Sequence, residues 1–330
     1  MKCSKKVIWR ERIEDIEALQ CLGNTVPVDV THPEARNFFW NIIWKNYGSK
    51  GIRSFWLDEA EPELSVYDFD NYRYYEGSVL RSGNRYPVLY AKTFFDGQLA
   101  CGQEMPLNLI RCAWAGSQKY GALVWSGDIA SSFTSMRNQL VAGLNMGIAG
   151  ISWWTTDIGG FHGGNPENPE FRELLIRWFE WGTFCPVMRL HGDREPKQPP
   201  LGSTGGAACR SGTPNEIWFF GEEAYQICRK YLFLRERLRS YIRDQMYAAH
   251  KQGTPVIRPL FYDTPTDDNC WEIEDEYLFG PDILVAPILE FGQRERKVYL
   301  PKKSNWINEH DVGNDPAVCQ TAEDSDLCGI

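Results

Sequence analysis

Three aspartates that directly follow short apolar segments are the residues of this sequence best suited to chemistry. Asp58 ends the segment 51–58, Asp128 ends 121–128 and Asp157 ends 150–157. A carboxylate at the end of a buried segment is costly unless it is paired or used in a reaction. Each aspartate alone is more often a helix cap, but the recurrence of the pattern, with tryptophan nearby each time, favours a shared reactive edge.

The acids around Asp58 predict an ionised nucleophile. Asp58, Glu59, Glu61 and Glu63 place four acids within six residues. Like charges this close raise each other's pKa unless a cation lies among them. We expect Arg111, which follows another apolar segment, to be that cation.

The surroundings of Asp128 predict the opposite role. Trp125 lies three residues earlier and would form an apolar wall. Such a wall raises the pKa of a carboxyl and suits it to donate a proton. One ionised and one protonated carboxyl, about 5–5.5 Å apart, are the pair that retaining glycoside hydrolysis requires.

The elements that must position these acids alternate along the chain. We predict strands at 51–58, 107–113, 121–128, 150–157 and 184–190, and helices that begin at a Thr31–Glu34 capping box and cover 133–146 and 170–181. This alternation predicts βαβ units and a parallel sheet. Polar residues at successive strand ends are typical of the C-terminal mouth of a (β/α)8 barrel. A doubly wound sheet is the competing architecture, although no glycine-rich phosphate loop follows a strand.

The alternation of predicted strands and helices stops after residue 195. One long amphipathic helix is predicted over 222–250, followed by antiparallel strands at 256–262, 277–279, 283–289 and 297–300. We therefore predict a poorly placed N-terminal segment (1–29), a catalytic barrel (30–252), part of a β-sandwich (253–301) and a divergent acidic tail (302–330).

Composition limits the possible partners. The 330 residues carry a net charge of −9, which argues against nucleic-acid binding. The most apolar stretch, 140–154, is too short and too rich in glycine to span a bilayer. Neither HExxH nor CxxC occurs, so no metal site is expected. No signal peptide is visible in the first 20 residues, and the compartment and the oligomeric state stay open.

Six blocks of residues, taken together, are more specific than any single motif. They read F-W-L-D-E-A-E-P-E (55–63), R-C-A-W-A-G-S-Q-K-Y-G (111–121), V-W-S-G-D (124–128), W-W-T-T-D-I-G-G-F (153–161), M-R-L-H-G (188–192) and Y-L-F-G-P-D-I-L-V-A-P (277–287). In this order they resemble glycoside hydrolase family 31, the retaining α-glucosidases and α-xylosidases. The resemblance implies a partial (β/α)8 TIM barrel, about strands 4–8, and then a partial antiparallel β-sandwich.

The resemblance also implies roles for individual residues and a carbohydrate substrate. Asp58 matches the nucleophile, Glu61 a nearby supporting acid and Asp128 the general acid/base. The residues that match substrate-binding positions are Trp56, Arg111, Trp125, Asp157, Phe161 and His191. No metal or organic cofactor is implied.

The sequence departs from the family pattern at both ends. Only 57 residues precede Asp58, so the first barrel strands and an N-terminal sandwich are expected to be missing. The expected function is a retaining α-glycosidase acting on α-linked xylose or glucose. The alternative is a truncated, inactive fragment with at most a binding role, and lyase chemistry on the same nucleophile also stays open.

Overall fold

The computed structural model describes residues 28–59, 61, 72–302 and 305–307. These residues form two compact units. The first contains the described residues up to Gly127 together with Pro196–Thr213, and the second contains Asp128–Glu195 and the described residues from Pro214 onward. Within the described residues, no helix is both long enough and apolar enough to cross a membrane.

The first unit combines short strands with two longer helices. Its helices are α1 (Pro33–Asn46), α2 (Val79–Ser82) and α3 (Tyr86–Ala100). Its strands are β1 (Trp56–Leu57), β2 (Arg73–Tyr74), β3 (Gly77–Ser78), β4 (Asn108–Ile110) and β5 (Ala122–Trp125), and β8 (Ser211–Thr213) joins it later in the chain.

A parallel sheet in the order β1-β4-β5 positions the polar residues of this unit. Leu57 pairs with Ile110, and Ile110 pairs with Val124. The residues that follow these partners therefore leave the sheet at the same edge. A cluster of aromatic rings supports the sheet, and Trp40 packs edge-on against both Phe55 and Phe94.

The second unit is richer in helix. Its helices are α4 (Phe133–Ile148), α5 (Pro169–Thr183), α6 (Glu222–Arg237), α7 (Arg239–Gln252) and α8 (Leu260–Asp263). Its strands are β6 (Trp154–Thr155), β9 (Ile257–Pro259), β10 (Tyr277–Phe279) and β11 (Ile283–Val285), and β7 (Arg194–Gln198) begins in it.

Helix α5 shows how local sequence sets an element in place. The Asn168 side chain accepts a hydrogen bond from the amide of Glu170, and proline occupies the first helical position. Both features favour helix initiation at this point. The buried face of the helix includes Trp178 and Trp181, whose ring centroids lie 6.0 Å apart.

The C-terminal strands form an antiparallel sheet in the order β11-β10-β9. Phe279 pairs with Ile283 on one side and with Ile257 on the other. Tyr277, Leu278 and Phe279 are all buried, so both faces of the central strand are covered. This sheet agrees with the antiparallel region predicted after the long helix.

Several predicted element boundaries are wrong. The predicted strand 184–190 is reduced to one bridge between Arg189 and Asp157, and residues 297–300, all of them described, form no strand. The predicted helix 222–250 is two helices, α6 and α7, which end and begin on either side of Leu238, where ψ is 0°. Residues 1–27 and 308–330 of the predicted terminal segments lie outside the described residues.

The predicted capping box at the start of α1 is also wrong. His32 is the N-cap, and its Nδ1 accepts the amide of Glu34 at 3.2 Å. Thr31 lies one residue before this cap, and its hydroxyl donates to Asp29 at 2.6 Å and accepts the amide of Glu76 at 3.3 Å. The Thr31 hydroxyl is therefore engaged by groups outside the helix, and the His32 imidazole accepts the helix amide instead.

Candidate active site

Arg111 gathers the acids that follow β1. Its Nε lies 3.4 Å from Asp58, and its Nη2 lies 2.9 Å from Glu59 and 2.5 Å from Glu61. The arginine side chain is only 11% exposed. The ion pairs predicted between Arg111 and the acid cluster are therefore present; Glu63 lies outside the described residues.

The strand register explains why these groups meet. The Arg111 amide donates to the carbonyl of Leu57 at 3.2 Å, which continues the parallel ladder by one residue. Burial lowers the pKa of Arg111, but the hydrogen bond and charge of Glu61, with the charges of Glu59 and Asp58, raise it well above its usual range. Arg111 therefore stays charged among the three carboxylates.

The backbone turns sharply directly after Asp58. Glu59 has a φ of 51°, the only positive φ found among the described non-glycine residues. Its amide donates to the Asp58 carboxylate at 3.0 Å. The left-handed conformation of a non-glycine residue costs about 1–2 kcal/mol, and the ion pair of Glu59 with Arg111 helps to hold it.

Aromatic residues flank the same sheet edge. Trp56 and Trp125 meet edge to face, with ring centroids 5.9 Å apart and planes at 74°. Trp125 is 2% exposed, whereas Trp56 is 51% exposed. Tyr90 lies within the field of the acids, since burial and then the charges of Asp58 and Glu59 raise its pKa to about 12.

In the second unit, Asp157 is fully buried and pairs with Arg189. The two residues also form a parallel backbone bridge, and the Ile158 amide donates to the carbonyl of Arg189 at 3.2 Å. Burial raises the pKa of Asp157 to about 7, although Arg189 favours the charged form, and the nearby charge of Asp128 acts in the same direction as burial.

The other predicted residues of the second unit are joined through backbone contacts. Phe161 donates its amide to the carbonyl of Ile129, directly after Asp128, at 2.7 Å. The rings of Phe161 and His191 stack with centroids 5.3 Å apart and planes at 23°. This unit therefore brings together Asp128, Asp157, Phe161 and His191, and the first unit brings together Trp56, Asp58, Glu61, Arg111 and Trp125.

Two arginines in these surroundings were missed by the sequence reasoning. Arg189 pairs with Asp157, and Arg194 is completely buried within the second unit. For Arg189 the available signal was its place in the apolar segment 186–190, whereas Arg194 stands in the polar run 191–197 and had no such signal. No cluster of His, Cys, Asp and Glu within the described ranges could hold a metal ion.

The sequence matches two family models in succession. The TIM-barrel domain of glycosyl hydrolases family 31 matches residues 2–245, and the C-terminal domain of the same family matches residues 253–324. These matches confirm the predicted fold class, an α/β barrel domain followed by a C-terminal sheet domain.

Known proteins with similar sequence or structure come from the same family. An uncharacterized family 31 glucosidase of Pseudescherichia vulneris is 63% identical over 179 residues, covering 54% of this chain and 34% of its own length. An α-xylosidase of Saccharolobus solfataricus is 34% identical over 313 residues, covering 90% of this chain and 39% of its own length.

A crystal structure of an α-xylosidase from a soil metagenome, complexed with xylose, superimposes with a TM-score of 0.84. It is 60% identical and covers 87% of this chain and 43% of its own. The chain thus spans between about a third and under a half of the length of these three relatives.

Proposed function

The chain belongs to glycoside hydrolase family 31, and on that premise we propose that it carries the catalytic residues of a retaining α-glycosidase. The proposed substrates are oligosaccharides or glycosides with a terminal α-linked xylose or glucose. The observation that carries the proposal is the group of three carboxylates, Asp58, Glu59 and Glu61, held on the buried guanidinium of Arg111. An ionised carboxylate, fixed by a cation that cannot lose its proton, is what a nucleophile at an anomeric carbon requires.

The proposed reaction has two steps. In the first, Asp128 donates a proton to the leaving oxygen while Asp58 attacks the anomeric carbon, so that the glycosidic bond breaks and a β-glycosyl ester forms. In the second, Asp128 removes a proton from water, the water oxygen displaces Asp58, and the sugar leaves with its α configuration retained. Glu61 supports Asp58 through the arginine that they share.

The residues proposed to bind the sugar are mostly aromatic or ionic. Trp56 is half exposed on β1, two residues before Asp58, and its ring packs edge to face against the ring of the buried Trp125. In the second unit, Phe161 and His191 present a stacked pair, and Asp157 is held by Arg189. Arg111 is proposed to contact a sugar hydroxyl as well as the acids.

Xylose is the preferred sugar in this proposal. The support is the 60% identity to the α-xylosidase whose crystal structure contains xylose. The α-glucosidase reading remains an alternative of the same class, because the two sugars differ only by one hydroxymethyl group. The predicted domain bounds, a barrel over 30–252 and a sandwich portion over 253–301, are kept as part of the proposal.

The second candidate function is a catalytically inactive fragment with at most a binding role. The observation that favours it is the short span of this chain relative to its relatives. Lyase chemistry within the family would use the same nucleophile, and it is distinguished by its product.

The test is an assay of the purified full chain with an aryl α-xyloside and an aryl α-glucoside. We expect turnover, faster with the xyloside, and a loss of about a thousandfold or more in kcat for Asp58→Asn, which keeps the shape but not the charge. Asp96→Asn is the matched control, because Asp96 is an exposed carboxylate paired with Lys92 on α3. A folded chain without turnover of either substrate would favour the inactive fragment.

A second measurement tests the covalent step itself. A fluorinated α-xyloside with a good leaving group, which forms the glycosyl ester faster than water can cleave it, should add one sugar mass per chain. We expect the added mass in the wild-type chain and not in Asp58→Asn. Release of α-xylose from an ordinary substrate identifies a hydrolase, whereas an unsaturated anhydro-sugar product identifies a lyase.

A further inference from the structure

Arg194 is a fully buried cation that the proposed reaction does not use. Its guanidinium lies over the ring of Phe171, with 4.9 Å between Cζ and the ring centroid. Burial lowers its pKa to about 10, while the charges of Asp157 and Asp193 act in the other direction. A buried arginine requires hydrogen-bond acceptors for its whole fork of N–H groups.

The acceptors around Arg194 are neutral oxygens, and most belong to one loop. Nη2 donates to Ile158 at 2.9 Å, and Nη1 donates to Gly160 at 2.7 Å, in both cases to the backbone carbonyl. Nε donates to the side-chain oxygen of Asn215 at 2.8 Å. Longer contacts reach the carbonyls of Gly163 at 3.4 Å and His191 at 3.4 Å.

The loop that supplies these carbonyls has little conformational restraint of its own. Gly159, Gly160, Gly163 and Gly164 all have positive φ values, between 77° and 86°. Glycine adopts this conformation readily but is also the residue with the largest conformational entropy to lose. An added Cβ on Gly160 would lie 2.7 Å from the Ala130 carbonyl oxygen, so the loop also packs closely on the segment after Asp128.

The arginine contacts the backbone on both sides of the Phe161–His191 ring stack. The carbonyl of Gly160 directly precedes Phe161, and the second contact is the carbonyl of His191 itself. The Asp193 amide donates to the Phe161 carbonyl at 2.8 Å and closes the connection. One planar guanidinium can hold both backbones because its donors have fixed relative directions.

We propose that Arg194 is a positioning residue that fixes the glycine loop 158–163 and the backbone of His191 so that the Phe161 and His191 rings face the sugar in one arrangement. The part of this inference that concerns the sugar rests on the proposed function. The part that concerns the anchoring of the loop by Arg194 does not depend on it. Arg194 does not touch the substrate and acts through these two side chains.

The first test compares Arg194→Lys with Arg235→Lys in the full chain. Arg235 is a matched control, because it donates to the backbone carbonyls of Thr183, Cys185 and Pro186 but not to the glycine loop. Both variants are expected to lower stability. Only Arg194→Lys is expected to raise the hydrogen-exchange rate of the amides in 157–164 and 189–193. The expected rise is about tenfold or more relative to the amides of α3, which contains neither substituted arginine.

The second readout is kinetic. A displaced sugar-facing wall is expected to raise KM for the aryl α-xyloside roughly tenfold in Arg194→Lys, with a smaller change in kcat. Arg235→Lys should leave KM near the wild-type value. If Arg194→Lys does not fold, Asn215→Ala is the substitute, because it removes only the hydrogen bond from Nε of Arg194. It should raise both the hydrogen-exchange rate of the loop amides and KM, each by less than Arg194→Lys would.

Three outcomes would overturn the proposal. The loop amides could exchange at the wild-type rate in Arg194→Lys, or they could open equally in Arg235→Lys. In an active chain, the loop could open while KM stays unchanged. Failure of the proposed function is seen separately, as absence of turnover in the wild-type chain, and the exchange comparison still decides whether Arg194 anchors the loop.

Discussion

Single residues in this chain carry unusual electrostatic and backbone restraints, and these restraints concentrate beside the proposed nucleophile. Arg111 holds Asp58, Glu59 and Glu61, and Glu59 adopts a left-handed backbone. A strained residue persists only where its surroundings over-determine it. Here the neighbouring ion pair and the hydrogen bond to Asp58 provide that constraint, so the carboxylate of Asp58 is held from two sides.

Substitutions at Glu59 should reveal this strain. Because its φ is 51°, Glu59→Gly should leave stability unchanged or raise it by up to about 1 kcal/mol, whereas Glu59→Val should lower it by roughly 1–2 kcal/mol. Both variants lose the half-exposed ion pair with Arg111, so this loss cancels when the two are compared. Denaturant unfolding of the two variants measures the difference.

The control for this prediction is Glu104, an exposed glutamate outside the residues with positive φ. Glycine at Glu104 should lower the free energy of unfolding slightly, because it adds freedom to the unfolded chain. Equal effects of glycine at the two positions would show that the backbone at Glu59 is not strained.

At the scale of elements, close packing of helices on tryptophan fixes the layers of each unit. A Cβ on Gly97 of α3 would lie 2.1 Å from the Trp40 ring on α1, and a Cβ on Gly143 of α4 would lie 2.7 Å from Trp154 on β6. Both tryptophans are buried. Each glycine therefore sets the distance between two elements, and neither position tolerates a larger residue without movement of a ring.

Gly97→Ala should therefore destabilise the chain, although alanine favours helix. We expect the free energy of unfolding to fall by roughly 1–3 kcal/mol, since the buried ring of Trp40 must move. Gly206→Ala is the control, because its added Cβ meets nothing within 4 Å. A Gly97 variant that is as stable as the Gly206 variant would contradict the close approach of α3 to α1.

At the scale of the whole molecule, the sequence predicted the order of the elements better than their extent. The acids after β1 and their pairing with Arg111 could be predicted, because both follow from strand alternation and charge balance along the sequence. The Thr31 cap was predicted wrongly, because a local pattern does not show that the Thr31 hydroxyl bonds to Asp29 and Glu76 or that the His32 imidazole accepts the helix amide. The interruption at Leu238 involves neither glycine nor proline, so no residue type signalled it.

Buried carboxyls give the chain a predictable dependence of stability on pH. Burial raises the pKa of Glu276 from 4.5 to about 7, although the Tyr299 amide and Arg296 favour its charged form. At a pH between these two values, such a carboxyl is protonated in the folded state but ionised in the unfolded state. Stability must therefore fall as pH rises from about 4.5 to about 7, and Asp157 acts in the same direction.

Glu276→Gln should remove the share of this dependence that belongs to Glu276. The variant should match the wild type near pH 4.5 and gain on the order of 2 kcal/mol relative to it by pH 7.5. Parallel denaturant titrations at several pH values measure the difference. Glu290→Gln is the control, because Glu290 is a 67% exposed carboxylate that pairs with Arg137. Parallel wild-type and Glu276→Gln profiles would contradict the prediction.

The edge-to-face tryptophans described above also have an optical consequence. Indole transitions on rings 5.9 Å apart and inclined at 74° couple to one another, so Trp56 and Trp125 should contribute a paired band to the circular dichroism spectrum. Trp56 lies on β1 and Trp125 lies on β5, with β4 between their backbones. The band therefore reports the assembly of three strands, and replacing either indole by phenylalanine should abolish it.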